Sequence, residues 1–237
     1  MRVNINIPKS WNDLSDRQFF KLAKLIYSSQ DNKNFDLKCF LILLNIKLWQ
    51  LKKVIKFIIV FYQVPISEIK HFYEFIYTNN DRTIFPKILD EFNAPLPKLT
   101  NLTVEEFSVA DDLHIKWRNT KNKDFLIFLA ATLYSRELNP RDKFDKNNLP
   151  QKMKYFEKLP FEKLIAVELA YFGCKNSIIK RFPKAFPQNV KKSNSKYGFG
   201  KVILQMAGGK FGNHEQTKNT NVYTFLEEFN ENLKSKL

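Results

Sequence analysis

Residues 124–134 read DFLIFLAATLY and decide the fold. Seven consecutive residues of this stretch, 125–131, are apolar, so a helix built from them has no polar face. A helix that is apolar on every side is stable only when other elements surround it. The stretch therefore predicts a central helix, with Asp124 as its N-terminal cap.

Two capping boxes predict helices upstream of this central helix. In a capping box, Ser or Thr is followed three residues later by Gln or Glu, and each side chain accepts a hydrogen bond from the other residue's backbone N–H. Ser15 and Gln18 predict a helix over residues 16–28. Thr103 and Glu106 predict a second helix that runs to Arg118.

Apolar residues spaced by three and four predict further helices. They cover residues 34–47, 49–63, 69–77, 161–171, 176–182, 199–207 and 221–233. The helix that begins near Phe161 is expected to end at Gly173, because glycine commonly follows the last helical residue. The polar residues 139–151 contain two prolines and are expected to form an exposed loop.

The predicted fold class is mostly α, a multi-helix globular bundle with a short N-terminal strand or extended arm. Residues 2–7 alternate between polar and apolar side chains, which is typical of a strand. Residues 93–103 contain two prolines and lack a helical period, so they predict a connector. This connector divides an N-terminal helical region, residues 1–92, from a C-terminal helical domain, residues 104–237.

The composition is typical of a globular protein and excludes several other classes. The 237 residues are 44% hydrophobic and 15% aromatic, which is enough for a packed core and excludes intrinsic disorder. Two cysteines, Cys39 and Cys174, do not form the framework of a disulfide-built secreted domain. Their apolar surroundings predict raised thiol pKa values. Lysines interrupt the most apolar region, residues 37–62, so buried helices are favoured over a membrane span.

The positive charge of the chain is concentrated in two stretches. Lys and Arg number 39 and Asp and Glu 24, so the formal net charge is +15. Residues 37–67 contain five lysines and no acidic residue, and residues 169–214 contain nine basic residues and no acidic residue. These two stretches account for fourteen of the fifteen excess charges, and the rest of the chain is nearly balanced.

The stretch 169–214 has three interpretations. Its basic residues form a solvated surface, a docking patch for an acidic protein, or a surface that holds nucleic acid with the help of interleaved aromatic rings. A single arginine argues against nucleic acid, because base recognition relies heavily on arginine. A protein partner is therefore preferred. The candidate partner-binding basic patch consists of Lys180, Arg181, Lys184, Lys191, Lys192 and Lys196.

No motif in the sequence predicts an enzyme, a cofactor site or a metal site. Asp111, Asp112 and His114 form the only cluster of carboxylates and imidazole, and their position in an amphipathic helix favours a solvated face. Residues 207–212, AGGKFG, lack the hydroxyl residue and the glycine spacing of a phosphate-binding loop. The three histidines lie too far apart in sequence for metal-ligand spacing. The sequence therefore predicts no catalytic, cofactor-binding or metal-binding residue.

Several short pieces of the second half resemble one family of proteins. They read LTVEEF at 102–107, LAATLY at 129–134, AVELAYFG at 166–173, RFPKAF at 181–186 and AGGKFG at 207–212. Together they are similar to uncharacterised tail-module proteins, of the tail assembly chaperone type, from phages and prophages of Bacteroidetes-type bacteria. The resemblance covers mainly residues 99–212.

The resemblance implies a non-enzymatic role in the phage tail. Genes of the family lie near those for the tail tube and the tape-measure protein, so the expected partners are other tail proteins. The implied activity is tail assembly, in the host cytoplasm, or a minor structural role in the virion, in either case through protein–protein contacts. It predicts an exposed apolar patch rimmed by lysines. The alternative, based on charge, is a basic nucleic-acid-binding accessory protein.

Overall fold

Helices dominate the part of the chain that the structure describes. The computed structural model describes residues 7–28, 34–45, 70–78, 80–137, 141–186 and 210–234, together with positions 55, 68, 203, 206 and 207. Eight α-helices lie within these residues: α1 (Asp16–Ser28), α2 (Phe35–Leu43), α3 (Val104–Thr120), α4 (Lys123–Leu133), α5 (Leu149–Phe156), α6 (Phe161–Arg181), α7 (His214–Asn219) and α8 (Val222–Lys234). The same residues contain no β-strand beyond two isolated bridges. The prediction of a mostly α, multi-helix bundle is confirmed.

Helix α4 is the central helix that its sequence predicts. It packs against α3, α5 and α6. Five of its apolar residues have no solvent exposure: Leu126, Leu129, Ala130, Ala131 and Leu133. The helix is surrounded on several sides because its apolar residues cover its whole circumference.

The two capping boxes form as predicted, whereas the cap of α4 differs. The Ser15 N–H donates to Gln18 Oε1 at 3.0 Å, and the Thr103 N–H donates to Glu106 Oε2 at 2.9 Å. The N-terminal cap of α4 is Asn122, whose Oδ1 accepts a hydrogen bond from the Asp124 N–H at 2.9 Å. The prediction of Asp124 as the cap is therefore wrong. Asp124 instead lies in the first turn, where a carboxylate stabilises the helix because it is close to the positive end of the helix dipole.

Helix α6 continues through Gly173, so the predicted helix end at this residue is wrong. The helix extends to Arg181 and includes the separate turn predicted for residues 176–182. A Cβ atom at position 173 would lie 2.2 Å from the carbonyl oxygen of Arg82. Glycine is present here because two backbones approach closely.

Residues 80–83 link the N-terminal turn, a 3₁₀ turn at Trp11–Asp13, to α6. The Arg82 side chain is 2% exposed, and its Nη1 donates to the carbonyl oxygens of Trp11 at 2.7 Å and Leu14 at 3.2 Å. Asn80 Nδ2 donates to the carbonyl oxygen of Leu169 in α6 at 2.7 Å. This buried polar junction fixes the start of the chain against the longest helix of the described residues.

Two other predicted elements take a different form. Residues 139–151 are not one exposed loop, because a 3₁₀ turn at Lys146–Asn148 leads directly into α5. Pro150 lies in the first turn of α5, where its missing N–H has no helical partner in any case. The predicted helix over residues 69–77 is replaced by 3₁₀ turns at Lys70–Phe72 and Glu74–Ile76. The period of three residues in such turns brings Tyr73 and Ile76 to the buried side.

The final helix is confirmed. Val222, Phe225 and Leu226 of α8 are fully buried, as the apolar stripe predicts. Asn221 accepts a hydrogen bond from the Tyr223 N–H at 2.9 Å and so caps the helix. Among the described residues, no helix is long and apolar enough to cross a membrane.

Some predictions concern residues outside the described ranges. These are the N-terminal strand up to Ile7, the helix over 49–63 and most of the helix over 199–207. Buried residues from both sides of the predicted connector belong to one hydrophobic cluster, which includes Leu22 and Leu164. The division into residues 1–92 and 104–237 stays a prediction.

Candidate functional site

A cleft of about 650 Å³ lies between the first turn of α3, residues 135–136 and 141–145, and α5. This volume falls in the range of small-molecule sites, roughly 300–1,000 Å³. Five basic residues line the cleft: Arg136, Arg141, Lys143, Lys152 and Lys154. Three acidic residues line it: Glu106, Asp142 and Asp145. Sequence reasoning missed this site, because its residues come from three separate parts of the chain.

Arg141 is held in the wall of the cleft by a buried ion pair. Its Nε lies 2.8 Å from Glu106 Oε1, and the two side chains are 8% and 3% exposed. Its Nη2 donates to the carbonyl oxygen of Leu133 at 2.6 Å. Arg141 thereby satisfies a carbonyl group at the C-terminal end of α4, where positive charge is favourable.

One nitrogen of Arg141 has no partner. Nη1 is buried and makes no hydrogen bond within the part of the chain that the structure describes. Leaving a buried donor unpaired is unfavourable by about 1–3 kcal/mol, and by more for a charged group. The ion pair with Glu106 accounts for Nε, and the cap of α4 accounts for Nη2. Neither role accounts for Nη1.

Lys152 brings a second partly buried positive charge to the cleft. Its Nζ donates to the carbonyl oxygen of Tyr134, the residue that follows α4. Burial, which removes water from the ammonium group, and repulsion from Arg141 together lower the pKa of Lys152 from 10.5 to about 8. The carboxylates of Glu106 and Asp142 act in the opposite sense without cancelling the effect.

Asp142 and two aromatic rings complete the wall. Burial alone would raise the pKa of Asp142, but hydrogen bonds from the Ser135 hydroxyl at 2.8 Å and the Arg136 N–H at 2.7 Å outweigh it, so the pKa is lowered. The Arg136 guanidinium lies 5.4 Å from the ring centre of Phe92 and 5.3 Å from that of Tyr155. Asp142 is thus satisfied by its neighbours, while Arg141 is not.

The desolvation of Lys152 predicts a measurable pH dependence of stability. Because its pKa is lower in the folded protein, the unfolded chain holds more protons between pH 8 and pH 10.5, and the free energy of unfolding rises with pH in this window. Relative to Lys152→Met, the wild type should gain about 1 kcal/mol between pH 7.5 and pH 9. Urea unfolding of both proteins at these two pH values measures the difference.

The comparison between variant and wild type removes effects common to both proteins. Burial raises the pKa values of the Cys39 and Cys174 thiols to about 12. A pH above 9 therefore lowers the free energy of unfolding, and it does so equally in both proteins. Parallel pH profiles for wild type and variant would contradict the desolvation of Lys152.

A second polar cluster lies between α3 and α6, and it overturns the solvated face predicted for Asp111, Asp112 and His114. Asp111 is 8% exposed and His114 is 5% exposed, and Asp112 alone faces solvent. His114 Nε2 lies 3.0 Å from Glu168 Oε1. The prediction fails because α6 presents its own polar side chains to this part of α3.

The partners in α6 follow helical spacing. Glu168, Tyr171 and Lys175 lie three and four residues apart, so they share one face of α6. The Tyr171 hydroxyl donates to Asp111 Oδ1 at 3.2 Å, and Lys175 pairs with the same oxygen. Arg118 Nε also lies 2.6 Å from Glu168 Oε1, so both buried carboxylates of the cluster have cationic partners, while the buried His114 Nδ1 has no partner among the described residues. The cluster joins the two helices.

The described residues offer no metal site and no reactive thiol. They contain no group of three or more His, Cys, Asp or Glu side chains that could hold a metal ion. Burial raises the pKa values of Cys39 and Cys174 to about 12, in agreement with their apolar surroundings in the sequence. Both thiols therefore stay protonated at neutral pH.

Three residues of the predicted basic patch lie at the end of α6. Lys180 and Arg181 belong to its last turn, Lys184 follows it, and all three are exposed. Arg181 Nη2 lies 2.7 Å from Glu227 Oε1 in α8. The other three members, Lys191, Lys192 and Lys196, lie outside the described residues.

Acidic residues that are remote in sequence neutralise part of this basic stretch. Lys175 pairs with Asp111, and Lys210 lies 2.9 Å from Glu228. With Arg181, three of the nine basic residues in 169–214 have carboxylate partners in the folded chain. The charge offered to a partner is therefore smaller than the sequence predicts.

Comparisons of the chain with known protein families, curated proteins and solved structures find no match.

Proposed function

We propose that this chain is a non-enzymatic tail assembly or minor virion structural protein of the phage type, which acts through protein–protein contacts. Its sequence resemblance to tail-module proteins supports this function. An exposed apolar surface next to α2 supports contact with a protein partner and is the observation that carries the proposal. The expected partner is a tape-measure or tube protein.

The apolar surface, here called the α2 surface, consists of Leu41, Phe72 and Tyr77. These side chains are 37%, 37% and 56% exposed. The ring of Phe72 lies 6.2 Å from that of Phe40, and the ring of Tyr77 lies 5.8 Å from that of Phe35. Both exposed rings are thus anchored on α2, and rigid aromatic side chains of this kind are frequent in protein interfaces.

Lysines lie beside this surface. Lys38 is on α2 and Lys70 begins the first 3₁₀ turn, and both are exposed. The two lysines support the apolar patch rimmed by lysines that a tail assembly role predicts, although the rim also contains Asp36, which accepts a hydrogen bond from the Tyr77 hydroxyl. An amphipathic helix of a tape-measure protein has the matching chemistry, because apolar anchors spaced by three and four would fit the surface and acidic flanks would meet the lysines.

Nucleic-acid binding has weaker support. It requires the basic patch to present its charges freely, whereas Arg181 pairs with Glu227 and its guanidinium lies 5.2 Å from the ring centre of Tyr223. A steep loss of nucleic-acid affinity with rising salt would favour this alternative.

The test is co-purification with a phage tape-measure protein encoded in the same genome as this chain. Leu41→Glu places a charge in the α2 surface and is expected to weaken binding at least tenfold in a titration with purified proteins. The matched control is Ile115→Glu, since Ile115 is 42% exposed and lies on α3. The control should change affinity less than twofold.

Two outcomes would contradict the proposal. One is the absence of a complex between the wild-type chain and any neighbouring tail protein. The other is an equal loss of affinity in Leu41→Glu and Ile115→Glu, since the α2 surface would then have no special role.

A further inference from the structure

The cleft beside α5 contains hydrogen-bond donors that the protein does not use. Arg141 Nη1 carries two N–H groups and has no acceptor in the described part of the chain. The Lys152 ammonium has three N–H groups, and the structure gives it one acceptor, the carbonyl oxygen of Tyr134. Four cationic N–H groups, on two residues that line one cleft, therefore lack an acceptor in the described part of the chain.

These two cations lie at the same end of α4. Arg141 binds the carbonyl oxygen of Leu133, and Lys152 binds that of Tyr134, the next residue in the chain. Two positive charges on consecutive carbonyl groups repel each other, and at Lys152 the carboxylates of Glu106 and Asp142 oppose this repulsion. Glu106 serves Arg141 through Nε, so it leaves Nη1 unpaired.

The other two carboxylates of the cleft, Asp142 and Asp145, already accept hydrogen bonds from their neighbours. Asp142 is engaged by the Ser135 hydroxyl and by backbone N–H groups. Asp145 accepts a hydrogen bond from the Asn147 N–H at 2.9 Å in the 3₁₀ turn. Five basic residues thus face three carboxylates that already have partners.

We propose that this cleft binds a small molecule that carries a phosphate monoester, with Arg141 and Lys152 as the groups that hold its oxyanion. A phosphate monoester has three terminal oxygens, enough to accept hydrogen bonds from both side chains at once, and arginine suits its geometry. A single carboxylate has two oxygens and half the charge. The site is independent of the α2 surface and goes beyond the proposed partner binding.

The size and lining of the cleft indicate more than inorganic phosphate. About 650 Å³ exceeds the volume of a single oxyanion several times over. Tyr155 lines the cleft and is 46% exposed, so the rest of the ligand has an aromatic ring to contact, whereas Phe92 in the wall is only 2% exposed. A ligand with a phosphate at one end and a flat or apolar group at the other fits this lining.

The test uses three probes by isothermal titration calorimetry on the full chain at matched ionic strength. Phenyl phosphate represents the proposed class, benzoate carries a carboxylate on the same ring, and sulfate is a tetrahedral dianion without a ring. Phenyl phosphate is expected to bind at least tenfold more tightly than benzoate. Equal affinities for the two ring compounds, or no saturable binding of phenyl phosphate at millimolar concentration, would overturn the proposal.

Lys152→Met and Arg141→Lys test the two groups separately. The first removes one charge and keeps the length of the side chain, and the second keeps the charge and removes Nη1. Each should weaken phenyl phosphate binding at least tenfold. Lys158→Met is the matched control, because Lys158 is exposed and lies outside the cleft wall, and it should change affinity less than twofold. Thermal melting of each variant confirms that it is folded.

The pH dependence of sulfate binding isolates Lys152, since sulfate itself does not titrate near neutral pH. The ammonium of Lys152 is charged below its pKa of about 8 and neutral above it. Sulfate affinity should therefore fall about tenfold between pH 7 and pH 9 in the wild type and stay nearly constant in Lys152→Met. A flat profile in the wild type would exclude Lys152 as the anion-binding group and overturn the proposed pair.

Discussion

Replacing Gly173 by alanine is expected to destabilise the protein by about 3 kcal/mol or more. An added Cβ would lie 2.2 Å from the Arg82 carbonyl oxygen and 2.8 Å from the Arg82 nitrogen. Both are backbone atoms, and this backbone is held by the hydrogen bond from the Arg82 N–H to Asn80 Oδ1 at 2.9 Å. The clash therefore cannot be relieved by a change of side-chain rotamer.

The sign of this effect separates packing from helix propensity. In an unconstrained helix interior, alanine is more stable than glycine by about 1 kcal/mol, so propensity alone would make Gly173→Ala stabilising. Denaturant unfolding of the variant measures which effect dominates. A stabilised or unchanged protein would show that α6 and residues 80–83 do not approach as closely as described.

Gly212→Ala provides the matched control. At this position the backbone has a φ of 73°, and an added Cβ would meet the side-chain end of Gln216 rather than a backbone. The left-handed conformation disfavours alanine by about 1 kcal/mol, and the Gln216 side chain can move aside. We expect Gly173→Ala to be clearly more destabilising than Gly212→Ala.

Replacing Arg82 by methionine is expected to lower the free energy of unfolding by about 3–5 kcal/mol. The guanidinium lies 3.8 Å from the ring centre of Phe19 and donates to the carbonyl oxygens of Trp11 and Leu14. Methionine fills part of the volume but leaves both carbonyl groups without their donor. Since Arg82 joins the N-terminal turn to the rest of the protein, its loss affects a junction between remote parts of the chain.

Arg181→Met is the control for this second prediction. Arg82 Nη2 lies 3.7 Å from Asp16 Oδ1, and Arg181 likewise has one carboxylate partner, Glu227, and aromatic neighbours, but its side chain is 58% exposed. An exposed pair contributes about 0–1 kcal/mol. Urea unfolding of Arg82→Met and Arg181→Met should therefore give a large and a small effect, respectively. Similar effects would contradict a special role for burial at Arg82.

Local sequence patterns determined most of the helices. The capping boxes at Ser15 and Thr103 and the apolar run in α4 act over a few residues, so they predict helix positions without knowledge of the fold. The failure at Gly173 has the opposite cause. A glycine that ends a helix and a glycine that admits a neighbouring backbone are identical in sequence, and only the position of Arg82 distinguishes them.

The candidate cleft was beyond reach of sequence reasoning for a related reason. Glu106 is recognisable as a capping residue, but nothing in the sequence indicates that its second oxygen binds Arg141. Lys152 directly follows residues 139–151, a segment that is polar enough to predict a loop. Its desolvation depends on the packing of α5 against α4, which no local pattern reports.

By itself, the sequence determined the mostly α fold, the buried central helix, the protonated thiols and the excess of positive charge in two stretches. The tertiary structure decided which charges are exposed, paired or left without a partner. Charge pairing depends on distances between side chains that are remote in sequence, as in Arg181 with Glu227 and Arg141 with Glu106. For this reason net charge pointed to a basic patch at the end of α6, whereas the fold brings two partly buried cations, Arg141 and Lys152, together in a cleft that net charge did not indicate.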